Sequence, residues 1–540
     1  MQTKLRHKLS VVFALLAMTV MAVKPIGVSC QTPSVAVAHG ALTSVEVRAT
    51  RAFEAAKKLG TPDLYAYLRN MPKGGDLHMH ISGAVYAETF AKEAATQGLC
   101  LDPIGIKFVP PETGDDAPCG KSNVLAGDAF KDQKFYDKFI DTASMRSFVP
   151  YVGMSGHDWF FATFRHFDGI HNTLAEWLDE VATRAAAQNE QYLEIMASPG
   201  LRNAVTLGGS IIWPADAENS VSREELATLR DQLLAAGLRS AIPAARKDMD
   251  DIEAAKSAME HCANHPAAPS PCYVKMHYLS SVGRSAAPAQ VFTSALIGFE
   301  LANADPRFVG VNILAPEDGK VSMRDYHLHM QIFDYLHSVY PKVHLSLHAG
   351  ELAPGLVPPE GLRFHIREAV ELGHAERIGH GVDVLYEDNA PGLMKEMADK
   401  HIMVEINLTS NDVILGVKGA DHPLSGYRKA HVPVALSTDD EGVSRIDITH
   451  EYVKGVEEQG LGYLDLKEMA RTSLEHAFLY GNSLWAAPDD FRRRKAECAA
   501  PIVAASVPNA ACSAFLKANE KAAEQWELER RFAVFEAAVH

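Results

Sequence analysis

The chain has 540 residues, 47% of them hydrophobic and 22% charged, with a formal net charge of −16. That balance belongs to an ordinary globular protein and excludes disorder as the default state. The acidic excess argues against a nucleic-acid partner, whose phosphates call for clustered Lys and Arg, and leaves a small neutral substrate as the better match.

In chain order, Met1 to Lys8 is basic, an apolar run follows from Leu9 to Val23, and Lys24-Pro25 ends it. A basic start and a short apolar run read as an export signal rather than a membrane span. The expected location is therefore periplasmic or extracellular, with no stable membrane association once the signal is removed. Cleavage fits after Ala22 and after Ala38, so the signal is placed within residues 1–38. A retained N-terminal anchor is the alternative, and Cys30 leaves a lipid-anchored reading open, although Gly27-Val28-Ser29-Cys30 is a poor lipidation sequence.

Seven cysteines are present, and cleavage after Ala38 would leave six. An even count in an exported chain suggests disulfides. Closing short loops costs least entropy, which favours Cys100 with Cys119, Cys262 with Cys272 and Cys498 with Cys512. Six unpaired small core residues are the alternative.

Residues 39–70 read as an N-terminal helical segment, broken by Met71-Pro72-Lys73-Gly74-Gly75. Eight short apolar or β-branched runs follow: Asp76–Ile81, Tyr192–Ala197, Tyr273–Leu279, Phe308–Leu314, Val343–His348, Arg377–Gly379, Ile402–Leu408 and Val434–Ser437. Stretches of helical periodicity separate them, the alternation of parallel βα units, and eight such units predict an α/β fold closed as a (β/α)8 TIM barrel over residues 71–485. Residues 98–167 read as an insertion after the first strand, lying over the barrel's C-terminal rim. Trp159-Phe160-Phe161 reads as the core of that insertion, with Trp159 as a substrate lid the alternative. Residues 486–540 read as a helical extension whose run Arg492-Arg493-Arg494-Lys495 is a solvated face.

His78-Met79-His80 ends the first run, where residues i and i+2 share a face and two imidazoles can converge on one metal. The fifth run ends in His348-Ala349-Gly350-Glu351 and the eighth in Ser437-Thr438-Asp439-Asp440. A third His and a carboxylate complete a nitrogen and oxygen set suited to zinc, with room for a water whose pKa the metal lowers. In a barrel of this kind the strand ends meet around one face, so these distant residues become neighbours.

These motifs resemble the adenosine deaminase family from Met71-Pro72-Lys73 to about Leu484. The matching stretches are Met71-Pro72-Lys73 with His78-Met79-His80, Phe308-Val309-Gly310-Val311-Asn312 leading to Glu317, and His348-Ala349-Gly350-Glu351. Arg377-Ile378-Gly379-His380-Gly381, Thr409-Ser410-Asn411 and Ser437-Thr438-Asp439-Asp440 follow in the family's order. The exported chain and its cysteine-bounded insertion are similar to the secreted, growth-factor-like branch, with a shortened N-terminal region.

The resemblance implies hydrolysis of adenosine, and of 2′-deoxyadenosine, to inosine and ammonia with one Zn2+ per chain. His78, His80, His348 and Asp439 would bind the metal. Glu351 would donate a proton to purine N1, His380 would orient and help deprotonate the attacking water, and Asp440 would accept a hydrogen bond at purine N7. Ser82 stands where many members carry an acidic residue for the ribose 5′-hydroxyl. Ala315 stands at a family glycine whose N–H binds purine N3, and Glu441 stands at a common proline. His39, His157, His166, His277, His365 and His422 lie outside the motifs and receive no role. An adenine or other aminopurine deaminase is the enzymatic rival, and a non-catalytic extracellular binding or growth-factor-like protein is the rival of another class.

Overall fold

The computed structural model describes residues 43–111, 119–171, 173–214, 220–264, 266 and 269–539. The expected export signal, with both cleavage positions and Cys30, lies outside the described residues. Among the described residues, no helix is long and apolar enough to cross a membrane.

Strand β1 (Gly75–His80) opens the barrel, while β2 (Cys100–Asp102), β3 (Lys107–Val109) and β4 (Val124–Leu125) form a separate antiparallel sheet in the insertion. The barrel continues with β5 (Tyr192–Met196), β6 (Lys275–Gly283), β7 (Phe308–Leu314) and β8 (His344–Ala349). It ends with β9 (Arg377–His380), β10 (Met403–Ile406) and β11 (Val434–Leu436). All eight barrel strands run parallel in the order β1-β5-β6-β7-β8-β9-β10-β11. The ring closes just past β11, where Asp439 N donates to His78 O at 2.8 Å and His80 N donates to Asp439 O at 3.2 Å.

Each of the eight expected runs is a strand, with shifted ends that have local causes. β6 starts at Lys275 rather than Tyr273, because Pro271–Tyr273 forms a short 3-10 turn capped by Ser270 and tied by the Cys262–Cys272 disulfide. β10 stops at Ile406, since Asn407 caps a helix, Leu408–Leu415, whose first turn carries Thr409-Ser410-Asn411. The N-terminal segment is two helices rather than one. A Thr43 capping box with Glu46 starts Ser44–Leu59, and Gly60, at φ +122° with Pro62 behind it, ends that helix and starts Thr61–Asn70.

The N- and C-terminal segments form one layer on the barrel. Phe53 and Tyr67 meet Tyr463 and Phe535 edge to face or tilted at 5.3–6.4 Å, and Lys467 bridges Glu46 and Glu536. The insertion has its own apolar core of Leu101, Phe108, Phe139, Phe160 and Phe167, which also takes in Phe90 from the helix before it and Ile414 and Val443 from the segments after β10 and β11. That contact seats the insertion on the C-terminal rim. All three local disulfides are present, Cys100–Cys119, Cys262–Cys272 and Cys498–Cys512.

Candidate active site

The barrel interior is polar where most small barrels are apolar, and that polarity orients the first histidine. Arg377 on β9 is fully buried and donates to Glu405 on β10 at 2.6 Å and to Glu194 on β5 at 2.7 Å. Glu405 also accepts from Ser346 at 2.8 Å and from His78 Nδ1 at 2.6 Å. Burial would raise the Glu405 carboxyl, but Arg377 and His78 outweigh it and hold it at about 2. Because Nδ1 is committed as a donor, His78 presents the bare lone pair of Nε2 inward, and that buried atom has no hydrogen-bond partner.

His348, at the end of β8, is set the same way by Asn312 on β7, whose Oδ1 accepts from His348 Nδ1 at 2.8 Å. Its Nε2 faces His80 Nε2 at 3.1 Å. Asp439 Oδ1 lies 3.2 Å from His80 Nε2 and 3.5 Å from His78 Nε2, and Ser410 Oγ donates to Asp439 Oδ2 at 2.6 Å. Ligand atoms of His78, His80, His348 and Asp439 all lie within 4.8 Å of one another. Three inward-facing imidazole nitrogens and one carboxylate, two of the histidines oriented by partners of their own, fit a divalent cation of borderline softness such as zinc. Glu351, His380 and Asp439 form a second such group that shares Asp439.

Glu351 and His380 flank these four residues. His380 Nδ1 is 3.7 Å from Glu351 Oε1, and His380 Nε2 is 4.0 Å from Asp439 Oδ2. Burial, then the charges of Asp439 and Glu317, push the Glu351 carboxyl well above the usual range. Burial pulls the His380 imidazole down to about 3, so the ring is neutral. A cation held by the neighbouring ligands would draw the Glu351 value back down.

The β8 loop carrying Glu351 is held at three points. Arg284 Nη2 donates to His348 O at 2.8 Å, and Glu317 accepts from Gly350 N at 3.1 Å and Glu351 N at 2.8 Å. His365 Nδ1 donates to Glu317 Oε1 at 2.6 Å, and its ring stacks on Tyr326 at 3.8 Å. Gly350 has φ +74°, and a Cβ there would come within 2.5 Å of Asp383, so only glycine fits this turn.

A cavity of about 550 Å³ opens over these groups, lined by Ser82, Ser198, Ser281, Ala315, Asp440 and the aromatics Phe160, Phe161 and Phe164. The three phenylalanines come from the helix Gly156–Phe167 of the insertion, locked to the rim by close packing of Gly156 on Val413 O. Trp159, on the same helix, does not line the cavity. It stacks on Phe148 at 5.1 Å and donates to Ser144 O, which agrees with the core reading of the insertion. Among the described residues, no Lys or Arg lines the cavity. A larger cavity, of about 1070 Å³ beside His277, His344 and His476, contains none of the four ligands.

Every residue selected from the sequence therefore falls in one place, with two changes of character. Asp440 is buried beside Asp439, and burial followed by that charge pushes its carboxyl well above the usual range, towards the form that donates a hydrogen bond where the sequence reading expected an acceptor. Ala315 adopts φ +91°, a conformation that glycine takes freely and alanine only under strain. Three histidines given no role are part of the surroundings. His365 braces Glu317, His422 bonds Asn411, and His157 bonds Asp318 on the loop after β7 at 3.0 Å. Lys73 of the Met71-Pro72-Lys73 motif is structural, donating to Leu68 O, Met71 O and Gln188 O at 2.7–3.0 Å.

Residues 171–484 match the family model described as adenosine deaminase. An adenosine deaminase of Escherichia coli (strain SE11) is 40% identical over 137 residues, 25% of this chain and 38% of that protein. The match thus spans well under half the length of the curated relatives. Among solved structures, an Arabidopsis N6-mAMP deaminase is 19% identical with a TM-score of 0.46, covering 77% of this chain and 96% of its own. An adenine deaminase from Arthrobacter aurescens is 17% identical with a TM-score of 0.43, covering 76% and 94%.

Proposed function

The chain belongs to the adenosine deaminase family, and from that premise we propose that it is an exported zinc hydrolase converting adenosine, and 2′-deoxyadenosine, to inosine and ammonia. The observation that carries this reading is the convergence of His78, His80, His348 and Asp439 beneath one cavity that also holds Glu351 and His380. These four residues would hold Zn2+, which when bound supplies Lewis acidity towards water at neutral pH.

The chain's own groups supply the rest. The purine lies under Phe160, Phe161 and Phe164, whose apolar faces exclude bulk water from the reacting edge. Glu351, protonated, donates to N1 and so removes the negative charge that develops in the ring as C6 becomes tetrahedral. Asp440, also protonated, donates to the lone pair of N7, which has no hydrogen to offer. The Ala315 N–H faces N3, and Ser82 bonds the ribose 5′-hydroxyl with a neutral hydrogen bond. Among the described residues the cavity lining carries no Lys or Arg, which favours an uncharged nucleoside over a nucleotide, whose phosphate needs cationic partners. Export is supported by the sequence of residues 1–38 and by three disulfides, bonds that persist in oxidising compartments.

Ammonia release from adenosine, 2′-deoxyadenosine, adenine and AMP, with metal analysis of the same preparation, tests the reading. The expected result is one zinc per chain and highest kcat/KM on the two nucleosides. Preference for AMP or adenine would move the substrate within the family, and no release from any aminopurine by zinc-loaded protein would refute the activity.

A further inference from the structure

His380 is flanked on its far side by a chain of hydrogen bonds that begins at a donor whose direction is not open to choice. The backbone N–H of Leu424 points at His422 Nδ1 at 3.2 Å, so Nδ1 accepts. His422 is 2% exposed, and burial holds it down to about 3, so the ring is neutral and its single proton sits on Nε2. That proton goes to Asn411 Oδ1 at 3.0 Å. The amide is thereby oriented, and Asn411 Nδ2 donates to His380 Nδ1 at 3.0 Å. Asn407 Nδ2 lies at 3.4 Å from the same nitrogen, and Glu351 Oε1, at 3.7 Å, is beyond hydrogen-bond reach.

From this chain we propose that His422 and Asn411 are positioning residues which fix the tautomer of His380, so that its Nε2 carries the proton and faces the reaction as a hydrogen-bond donor. The inference rests on the hydrolytic reading above and revises one expectation of the sequence. An imidazole whose Nδ1 already accepts and whose Nε2 is protonated cannot take a proton from water. It donates to the attacking oxygen, aligns it on C6, and stabilises the negative charge that gathers on that oxygen as the C–O bond forms. His380 Nε2 is buried and has no hydrogen-bond partner among the described residues, as a donor reserved for a reacting group requires. The positive φ of His380, +71°, holds the ring in this aim.

Asn411 is the informative position, because a relay and a merely packed side chain predict opposite orders. Asn411→Asp keeps the size but turns an acceptor towards His380 Nδ1, which pulls the proton to that nitrogen and leaves Nε2 a bare lone pair. Asn411→Ala removes the partner and lets both tautomers form. The relay predicts that Asn411→Asp lowers kcat by about 10²-fold or more, further than Asn411→Ala, with KM within about threefold and zinc content unchanged. Packing alone predicts that the isosteric Asp is the milder change, and that order would overturn the proposal. Neutron diffraction from deuterated crystals of the zinc-loaded protein reads the proton without any assay. Deuterium on Nε2 of both His380 and His422 is expected, and deuterium on His380 Nδ1 refutes the relay. Absence of turnover in the wild type would remove the hydrolytic reading while leaving the diffraction result to judge the tautomer.

Discussion

Gly83 offers the sharpest test of how the purine is held. It lies three residues after His80, the last residue of β1, in the short turn Ile81–Ala84, and a Cβ built there falls 1.5 Å from Asp440 Oδ1 and 2.3 Å from its Cγ. Side-chain carbons do not approach heavy atoms closer than 3.0 Å, so Gly83→Ala displaces the Asp440 carboxyl by about 1.5 Å. A shift of about 1 Å in a positioning group costs about 10²-fold, or ~2.7 kcal/mol of transition-state stabilisation. We expect kcat/KM on adenosine to fall by about that factor, with zinc content unchanged and an overpacking cost of about 1–3 kcal/mol in thermal unfolding. The loss should be specific to N7. 7-Deazaadenosine, which has a carbon there, should be a poor substrate of the wild type and should lose little more in the variant. Gly209→Ala is the control, since its Cβ meets nothing within 4 Å. Gly83→Ala with wild-type kcat/KM, or with equal losses on adenosine and 7-deazaadenosine, would refute the placement of Asp440 at N7.

Thorough chelation is expected to abolish turnover, with recovery on adding Zn2+, and Glu351→Gln should keep the metal while lowering kcat by about 10²-fold or more, because an amide cannot deliver a proton to N1. Activity that survives chelation counts against the metal, and a fully active Gln variant counts against Glu351 as the acid. Replacing Cys498 and Cys512 together by Ser opens a loop of 14 residues and should lower stability by about 3 kcal/mol; trypsin cleavage at Arg492 to Lys495 should quicken while activity on adenosine persists, and unchanged proteolysis would show that the bond does not hold the extension. His157 ties the helix Gly156–Phe167 to Asp318; burial pulls its imidazole down, but the bond to Asp318 outweighs this and raises it above the ordinary value. Its stabilising effect is therefore full below about pH 6.5 and is lost as pH rises through the raised folded value. Hydrogen exchange in that helix should speed up with pH beyond the intrinsic rate, and His157→Phe should abolish the excess.

The barrel and the ligand set were legible in the sequence because both are written in short-range patterns. Apolar runs alternating with helical stretches announce strands, and the rule that strand ends share a face, together with the motifs of the resembled family, brought His78, His80, His348, His380 and Asp439 to one place. The break at Gly60 was not read from the sequence, because helical periodicity ran across it. What stayed hidden are the contacts whose partners are neither periodic nor close in sequence. Nothing about His365 says that it will brace Glu317 from 48 residues away. Asp440 looked like an acceptor because a carboxylate is one in water, and only in the fold does its burial against Asp439 push the carboxyl up towards the protonated form.

His422 shows how far such reasoning can be carried once coordinates exist. Eleven residues separate it from Asn411, and the helix that carries Asn411 ends at Leu415, so no shared face of one element pairs the two. Its proton is placed by one backbone N–H, and that placement passes through an amide to a ring that the motifs had already selected. The motif identified His380 as reactive without stating which nitrogen bears hydrogen, and a base and a donor differ by that atom alone. On the proposed relay, the direction of catalysis at His380 would be set by His422 and Asn411, acting through hydrogen bonds that only the folded chain can close.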